Sequence, residues 1–161
     1  MIIEQSRPLV KETAVGAGVA VLVSAPRSAH GRAAAASVAR DLRQMGAQVE
    51  LANNPQVQVL ERAEGPVVVV GNLADSRCMR ALYFRFMCAT DLWYPGPGGC
   101  ELRTLCNPFG TGHNVILLGY SDAAGAAWGT EEWPARLDDP LPHLAVLRVT
   151  RLPLAPQDVR S

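Results

Sequence analysis

The sequence predicts an α+β sandwich, in which a mixed β-sheet carries two or three helices packed mainly on one face. Valine-rich apolar runs alternate with segments of helical periodicity, which indicates strands separated by helices. An early strand–helix–strand unit requires a crossover, whereas two later strands, within residues 100–119, favour an antiparallel hairpin. With 161 residues, the chain has the length of one domain with a substantial core, so we expect residues 1–161 to form a single domain.

The composition excludes several classes of partner. Hydrophobic residues make up 48% of the chain, and fifteen basic residues balance fifteen acidic ones, so no net field favours nucleic acid or an anionic membrane. No apolar run reaches the roughly 18 residues of a membrane span. The first 25 residues make a poor signal peptide, because Glu4 and Glu12 surround Lys11. We expect neither nucleic acid nor membrane as a partner, and the compartment stays open.

The first half of the chain predicts three strands and one long helix. The run "GVAVLVS" (18–24) indicates a buried strand, and "AQVEL" (47–51) alternates as a half-buried one. Between them lies a helix over 32–45, whose core stripe contains Val38, Leu42 and Met45. The run "PVVVVG" (66–71) indicates a strand covered on both faces.

The second half predicts two further helices and a hairpin. A helix over 76–89, capped by Asp75 or Ser76, places Met79, Leu82, Tyr83 and Phe86 in the core. The segment "DLWYPGPGG" (91–99) is an enforced loop, since two prolines and three glycines cannot continue regular structure. Strands over 100–106 and 114–119 form the hairpin. A last helix over 122–136, capped by Ser121 or Asp122, precedes a strand over 143–154.

The residues that carry chemistry form no recognisable catalytic motif. His30, His113 and His143 are scattered, no CxxC pair predicts a zinc site, and no dinucleotide or phosphate-loop fingerprint is complete. Asp75 and Asp122 follow strands and open helices, where a carboxylate has a sufficient structural role as a cap. We therefore expect no catalytic residue, metal site or cofactor. A small enzyme that uses Asp75, Asp122 and His113 remains an alternative.

The glycine-rich turn over 119–125 raises the question of a bound anion. A phosphate at a helix N-terminus would be held by free backbone N–H groups. Asp122 already supplies a negative charge at the entrance of this helix. We therefore expect no phosphate there.

Three segments resemble the small N-terminal α/β domain of family 20 glycoside hydrolases and related glycan-active enzymes. They are "VVVVGNLADSRCMRALY", "CELRTL" and "NVILLGYSDAAGAAWGTEEW", within residues 66–137. The matching positions are Gly71–Asn72, the strand from Glu101 to Thr104 that contains Arg103, and the turn from Gly119 to Gly125. The aromatic loop with Trp93 and Tyr94 departs from the version of this domain in hexosaminidases.

The resemblance implies a non-catalytic accessory domain that packs on a catalytic domain of the same polypeptide or complex, and it names no substrate. A stand-alone carbohydrate-binding module, with a glycan as its partner, is the main alternative. The candidate contact residues are Trp93, Tyr94, Asn72, Arg103 and His113. Rigid aromatic side chains beside prolines can bind at low entropic cost, so both readings expect Trp93 to be exposed.

Overall fold

The computed structural model describes residues 12–148, and this part of the chain contains eight strands and four helices. The strands are β1 (Glu12–Thr13), β2 (Ala20–Ala25), β3 (Gln48–Asn53), β4 (Val67–Gly71), β5 (Cys100–Leu105), β6 (Val115–Tyr120), β7 (Leu141–Pro142) and β8 (Ala145–Leu147). The helices are α1 (Ala29–Gln44), α2 (Val57–Glu61), α3 (Arg77–Tyr83) and α4 (Ala123–Arg136).

Six strands form one mixed sheet in the order β3-β2-β4-β6-β5-β8. The neighbouring pairs among β3, β2, β4 and β6 are parallel, whereas β5 is antiparallel to both β6 and β8. Strands β1 and β7 form a separate antiparallel pair. The predicted α+β class and the hairpin within 100–119 are thereby confirmed. The predicted last strand is shorter, since β8 ends at Leu147, and residues 149–154 lie outside the described residues.

The two long helices, α1 and α4, share a hydrophobic core on one face of the sheet. The alanine-rich sequence of α1 has high helix propensity, and the Ser28 side chain caps it by accepting from the Gly31 N–H. In α4, Gly125, Ala126 and Gly129 are buried, so small residues allow the helix to lie close to the sheet. Trp133 fills the space that remains beneath its last turns.

The short helices α2 and α3 belong to a second core on the opposite face. Leu60 from α2 and Met79 and Leu82 from α3 pack there with Val67 and Val69. The two long helices thus lie on one face, as predicted, whereas the two short ones lie on the other and bring the number of helices to four. Because β4 is buried on both faces, helices are needed on each side of it, and five-residue α2 was too short to be recognised from periodicity.

The antiparallel orientation of β5 brings two loops together at one edge of the sheet. Cys100, the first residue of β5, lies opposite Tyr120, the last residue of β6. Consequently the loop over 91–99 meets the turn that connects β6 to α4 at the carboxyl edge of the parallel strands. Among residues 12–148, no helix has the length and hydrophobicity to cross a membrane.

Candidate functional site

Helix α3 ends earlier than its periodicity predicts, and the aromatic residues that follow are exposed. Its last residue is Tyr83, and Phe86 adopts a left-handed conformation with φ 58°. The N–H groups of Phe86 and Met87 bond back to the carbonyls of Tyr83 and Leu82, which closes the helix end. Aromatic residues have only moderate helix propensity, so the segment "YFRF" (83–86) does not strongly favour continuing the helix.

We call the side chains displayed there the aromatic surface. Phe86 is 98% exposed, Trp93 85% and Phe84 77%. The remaining members are Tyr83, Met87, Leu92 and Tyr94. The prediction that Phe86 and Tyr83 belong to the core is wrong, because the chain leaves the helix before position 86 can face the sheet. The prediction that Trp93 is exposed is confirmed, and Trp93 is therefore not a lid on the core.

Trp93 sits in a tight turn whose geometry is set by Asp91. One oxygen of the Asp91 carboxylate accepts from the N–H groups of Trp93, at 2.8 Å, and Tyr94, at 2.7 Å. The Asp91 N–H in turn donates to the Tyr94 carbonyl. This side-chain turn, in which an aspartate satisfies backbone donors two and three residues later, holds the indole at the tip of the loop.

The second half of the loop, from Pro95 to Gly99, rests on the turn that precedes α4. Ser121 Oγ accepts from the Gly96 N–H at 3.0 Å, and Asp122 Oδ2 accepts from the Gly98 N–H at 2.9 Å. The Ser121 N–H donates to the Gly99 carbonyl at 3.2 Å. The loop is therefore tied to the amino-terminal end of α4 by three hydrogen bonds.

Asp122 has two partners at once. Its Oδ1 accepts from the Gly125 N–H at 2.8 Å and caps α4, while Oδ2 binds the loop. Burial opposes the charged form, but the N–H groups of Gly125 and Gly98 outweigh it and lower the pKa of Asp122. The predicted cap is confirmed, as is the capping of α3, where Ser76 Oγ accepts from the Met79 N–H.

A groove of about 450 Å³ opens within the aromatic surface. Aromatic side chains, among them Tyr83 and Tyr94, form much of its lining. Glu101 and Arg103 also line it: Glu101 is buried, accepts from Thr90 Oγ1 at 2.8 Å and pairs with Arg103 Nε at 3.3 Å. Arg103 also donates to the Met87 carbonyl. The groove thus combines apolar walls with a charge-balanced polar patch.

Ser28, Asp75 and Tyr120 form a separate polar cluster at the carboxyl edge. The Asp75 carboxylate accepts from Ser28 Oγ at 2.5 Å and from the buried Tyr120 hydroxyl at 2.7 Å. The cluster lies between β2 and β4. The chain leaves these two strands toward opposite faces of the sheet, and open α/β sheets commonly bind ligands at such a point. Here the polar groups satisfy one another. Burial raises the pKa of Tyr120, and its bond to Asp75 acts in the same direction.

The other predicted site residues lie apart from the aromatic surface. Asn72 is buried, and its side chain accepts from the Ala74 and Asp75 N–H groups in the turn after β4. His113 lies just before the first residue of β6, and Asp122 lies just after its last residue. The six residues of β6 separate its two ends by roughly 20 Å. The structure therefore contradicts the alternative in which Asp75, Asp122 and His113 share one active site.

The buried thiols have raised pKa values. Desolvation raises the pKa of Cys88 to about 11 and that of Cys100 to about 12. Both would be almost wholly protonated at neutral pH, and a thiol is a much weaker nucleophile than a thiolate. No cluster of three potential metal-binding side chains occurs in residues 12–148.

Sequence reasoning named Trp93, Tyr94 and Arg103 but missed Phe84, Phe86 and Glu101 as parts of one surface. A signal was present in "YFRFM" (83–87). On a helix, Phe84 would point about 100° away from Tyr83 and about 160° away from Phe86, so the three residues cannot all face one core. Of the predicted contact residues, Tyr94 and Arg103 come together in the groove, and Trp93 precedes Tyr94 in the chain.

In comparisons with known proteins, no protein-family model matches the chain, and no curated protein matches it significantly.

Proposed function

We propose that this chain is a non-catalytic accessory domain that docks, through its aromatic surface, on the catalytic domain of a carbohydrate-active enzyme. The observation that carries the proposal is the exposure of Phe84 and Phe86 around a groove that Tyr94 also lines, with the exposed Trp93 next to Tyr94 in the chain. Exposing such side chains to water is unfavourable. A partner that covers them would recover that free energy.

The extent of the surface matches a protein interface. With about 200 Å² for each aromatic side chain, the exposed fractions of the five aromatic members amount to on the order of 700 Å². The largest apolar patch on a typical monomer is about 300–600 Å², and a stable interface covers about 800 Å² on each partner. The aromatic surface therefore approaches the size that a stable complex requires.

The composition of the surface points the same way. Tyrosine, tryptophan, phenylalanine, methionine and arginine are the residues enriched in protein interfaces, and all five types are present. The two arginines nearest this surface are already paired, Arg103 with Glu101 and Arg85 with Glu61. We therefore expect the partner to present a mainly apolar area.

The catalytic nature of the partner rests on the resemblance to family 20 accessory domains. The strand that contains Glu101 and Arg103 and the turn from Gly119 to Gly125 are the segments that carry it. In the present structure these segments border the groove and support the Trp93 loop. The most exposed residues of the proposed interface, Phe84, Phe86 and Trp93, lie between these segments, in the part of the chain that departs from that family.

The test is a mixture of residues 1–161 with the catalytic domain encoded in the same gene or in an adjacent reading frame, examined by sedimentation velocity. We expect a one-to-one complex that Phe86→Ala and Trp93→Ala each weaken by about 2 kcal/mol. Sedimentation of the chain as a homodimer, or two unassociated species, would contradict the proposal. So would the lack of any glycan-degrading domain in that gene neighbourhood.

A second candidate function is direct binding of a sugar in the groove. The observation in its favour is the position of Glu101 and Arg103 beside Tyr94, because sugars are bound by aromatic faces together with planar polar groups. Isothermal titration with neutral and uronic oligosaccharides distinguishes the two functions. Binding by the chain alone that Tyr94→Ala abolishes would favour the sugar over the protein partner.

A further inference from the structure

The loop that displays Trp93 has two attachment points in the fold. On one side, Thr90 is buried, donates its hydroxyl to Glu101, and accepts the Leu73 N–H through its carbonyl. On the other side, Gly96 and Gly98 bond to side chains of the turn before α4. The tip over 91–94 lies between these attachments, so its orientation depends on both.

The second attachment depends on side chains, and this makes it open to substitution. Gly96 bonds to Ser121 Oγ in a buried position, and Gly98 bonds to Asp122 Oδ2. Glycine at position 125 is also required, because a Cβ there would lie 2.0 Å from the Gly99 carbonyl oxygen. The backbone over 96–99 therefore lies against the N-terminal end of α4. Without it, this end of the helix would be open to solvent or to an anion.

We propose that Ser121 and Asp122 are positioning residues for partner docking: they hold the backbone over 96–99, and through it the Trp93 turn, in the orientation that presents the aromatic surface. Only the consequence for partner binding rests on the proposed docking function. The effect on the loop is a property of the chain alone. A loop ordered before binding avoids the entropic cost of ordering it in the complex.

Asp122→Asn separates the two roles of Asp122. Asparagine caps helices as well as aspartate does, so its Oδ1 can still accept from the Gly125 N–H. Its amide nitrogen would then face the Gly98 N–H, and two donors cannot bond. Helix α4 should therefore stay capped while the loop loses one attachment. Thr130→Ala, which removes a hydrogen bond to the Ala126 carbonyl in the middle of α4, is the matched control.

The experiment compares wild type, Asp122→Asn and Thr130→Ala by NMR without any partner. In Asp122→Asn we expect the Gly98 amide to exchange about tenfold faster, which corresponds to the loss of one hydrogen bond. The ¹H–¹⁵N NOE of the Trp93 indole should also fall. Both should stay at wild-type values in Thr130→Ala. Unchanged Gly98 exchange and an unchanged Trp93 NOE in a folded Asp122→Asn protein would overturn the proposal.

Two further results complete the test. Should Asp122→Asn fail to fold, Ser121→Ala keeps the cap and loses only the bond to Gly96. Exchange of the Gly96 amide and the Trp93 NOE then decide the outcome. Affinity for the catalytic partner should fall about tenfold in whichever variant loosens the loop. A rigid loop in the folded variant, or a loosened loop with unchanged affinity, would contradict the positioning role. The lack of any complex with wild type would contradict the docking function instead.

Discussion

Gly125, in the first turn of α4, faces the carbonyl oxygen of Gly99, and a Cβ at position 125 would lie 2.0 Å from that oxygen. The contact joins the helix to the loop that carries Trp93. Replacing Gly125 with alanine must therefore displace the backbone of the loop or of the helix.

We expect Gly125→Ala to lower the free energy of unfolding by about 1–3 kcal/mol, the usual cost of overpacking. Gly129→Ala in the same helix is the control, since its Cβ would meet Leu118 Cδ2 at 3.2 Å, and a side chain can shift. Alanine has a higher helix propensity than glycine, and this gain should offset most of the unfavourable free energy of that contact. Urea denaturation of both variants measures the difference, and equal stabilities would show that the close contact does not constrain the loop.

Removing the Tyr120 hydroxyl should also destabilise the fold. Tyr120 is buried and donates to the Asp75 carboxylate at 2.7 Å, and hydrogen bonds to charged groups contribute about 1.5–3 kcal/mol. We expect Tyr120→Phe to lose an amount in this range, while Tyr83→Phe on the exposed surface changes nothing measurable. Thermal unfolding compares them. A Tyr120→Phe protein as stable as wild type would mean that Ser28 and the Asn72 N–H satisfy the Asp75 carboxylate without Tyr120.

The loop and helix junction should be sensitive to acid. The folded-state pKa of Asp122 lies below its ordinary value of 3.8, so the stability that its carboxylate contributes is present above that value. This contribution is lost as the pH falls through the folded-state pKa. We expect the stability difference between wild type and Asp122→Asn to be largest at neutral pH and to shrink below about pH 4. A difference that is constant from pH 7 to pH 2.5 would refute the linkage.

The exposed residues of the aromatic surface should contribute little to folding. Phe86 is 98% exposed, so we expect Phe86→Ser to change the free energy of unfolding by less than about 0.5 kcal/mol. Leu82, buried in α3, supplies the contrast, because Leu82→Ala should cost about 2–5 kcal/mol. If Phe86→Ser unfolds like Leu82→Ala, position 86 belongs to the core after all.

Local sequence patterns predicted the fold well where one interaction dominates. The four valines of β4 and the alanine-rich α1 follow from propensity and burial. Position narrowed each cap to two adjacent residues, of which the structure shows Ser76 and Asp122. Helix α3 was too long in the prediction because hydrophobic spacing does not report where a helix stops. Its end at Tyr83 depends on tertiary packing of the segment that follows.

The site was only partly predictable for a related reason. Trp93 could be identified from its proline- and glycine-rich surroundings, since such a loop cannot bury a large side chain easily. Its support by Asp122 could not. The predicted hairpin brings the start of β5 near the end of β6, but Gly98 and Asp122 lie 24 residues apart. Whether they meet depends on the register of the two strands, which the long connection between them leaves undetermined.

The most direct test of the aromatic surface as an interface is the affinity of residues 1–161 for the proposed catalytic partner domain, measured by isothermal titration for wild type and Trp93→Ala. The account predicts a one-to-one complex with wild type and a loss of about 2 kcal/mol or more of binding free energy in Trp93→Ala, with unchanged thermal stability. Equal affinity of both proteins for that domain would contradict it.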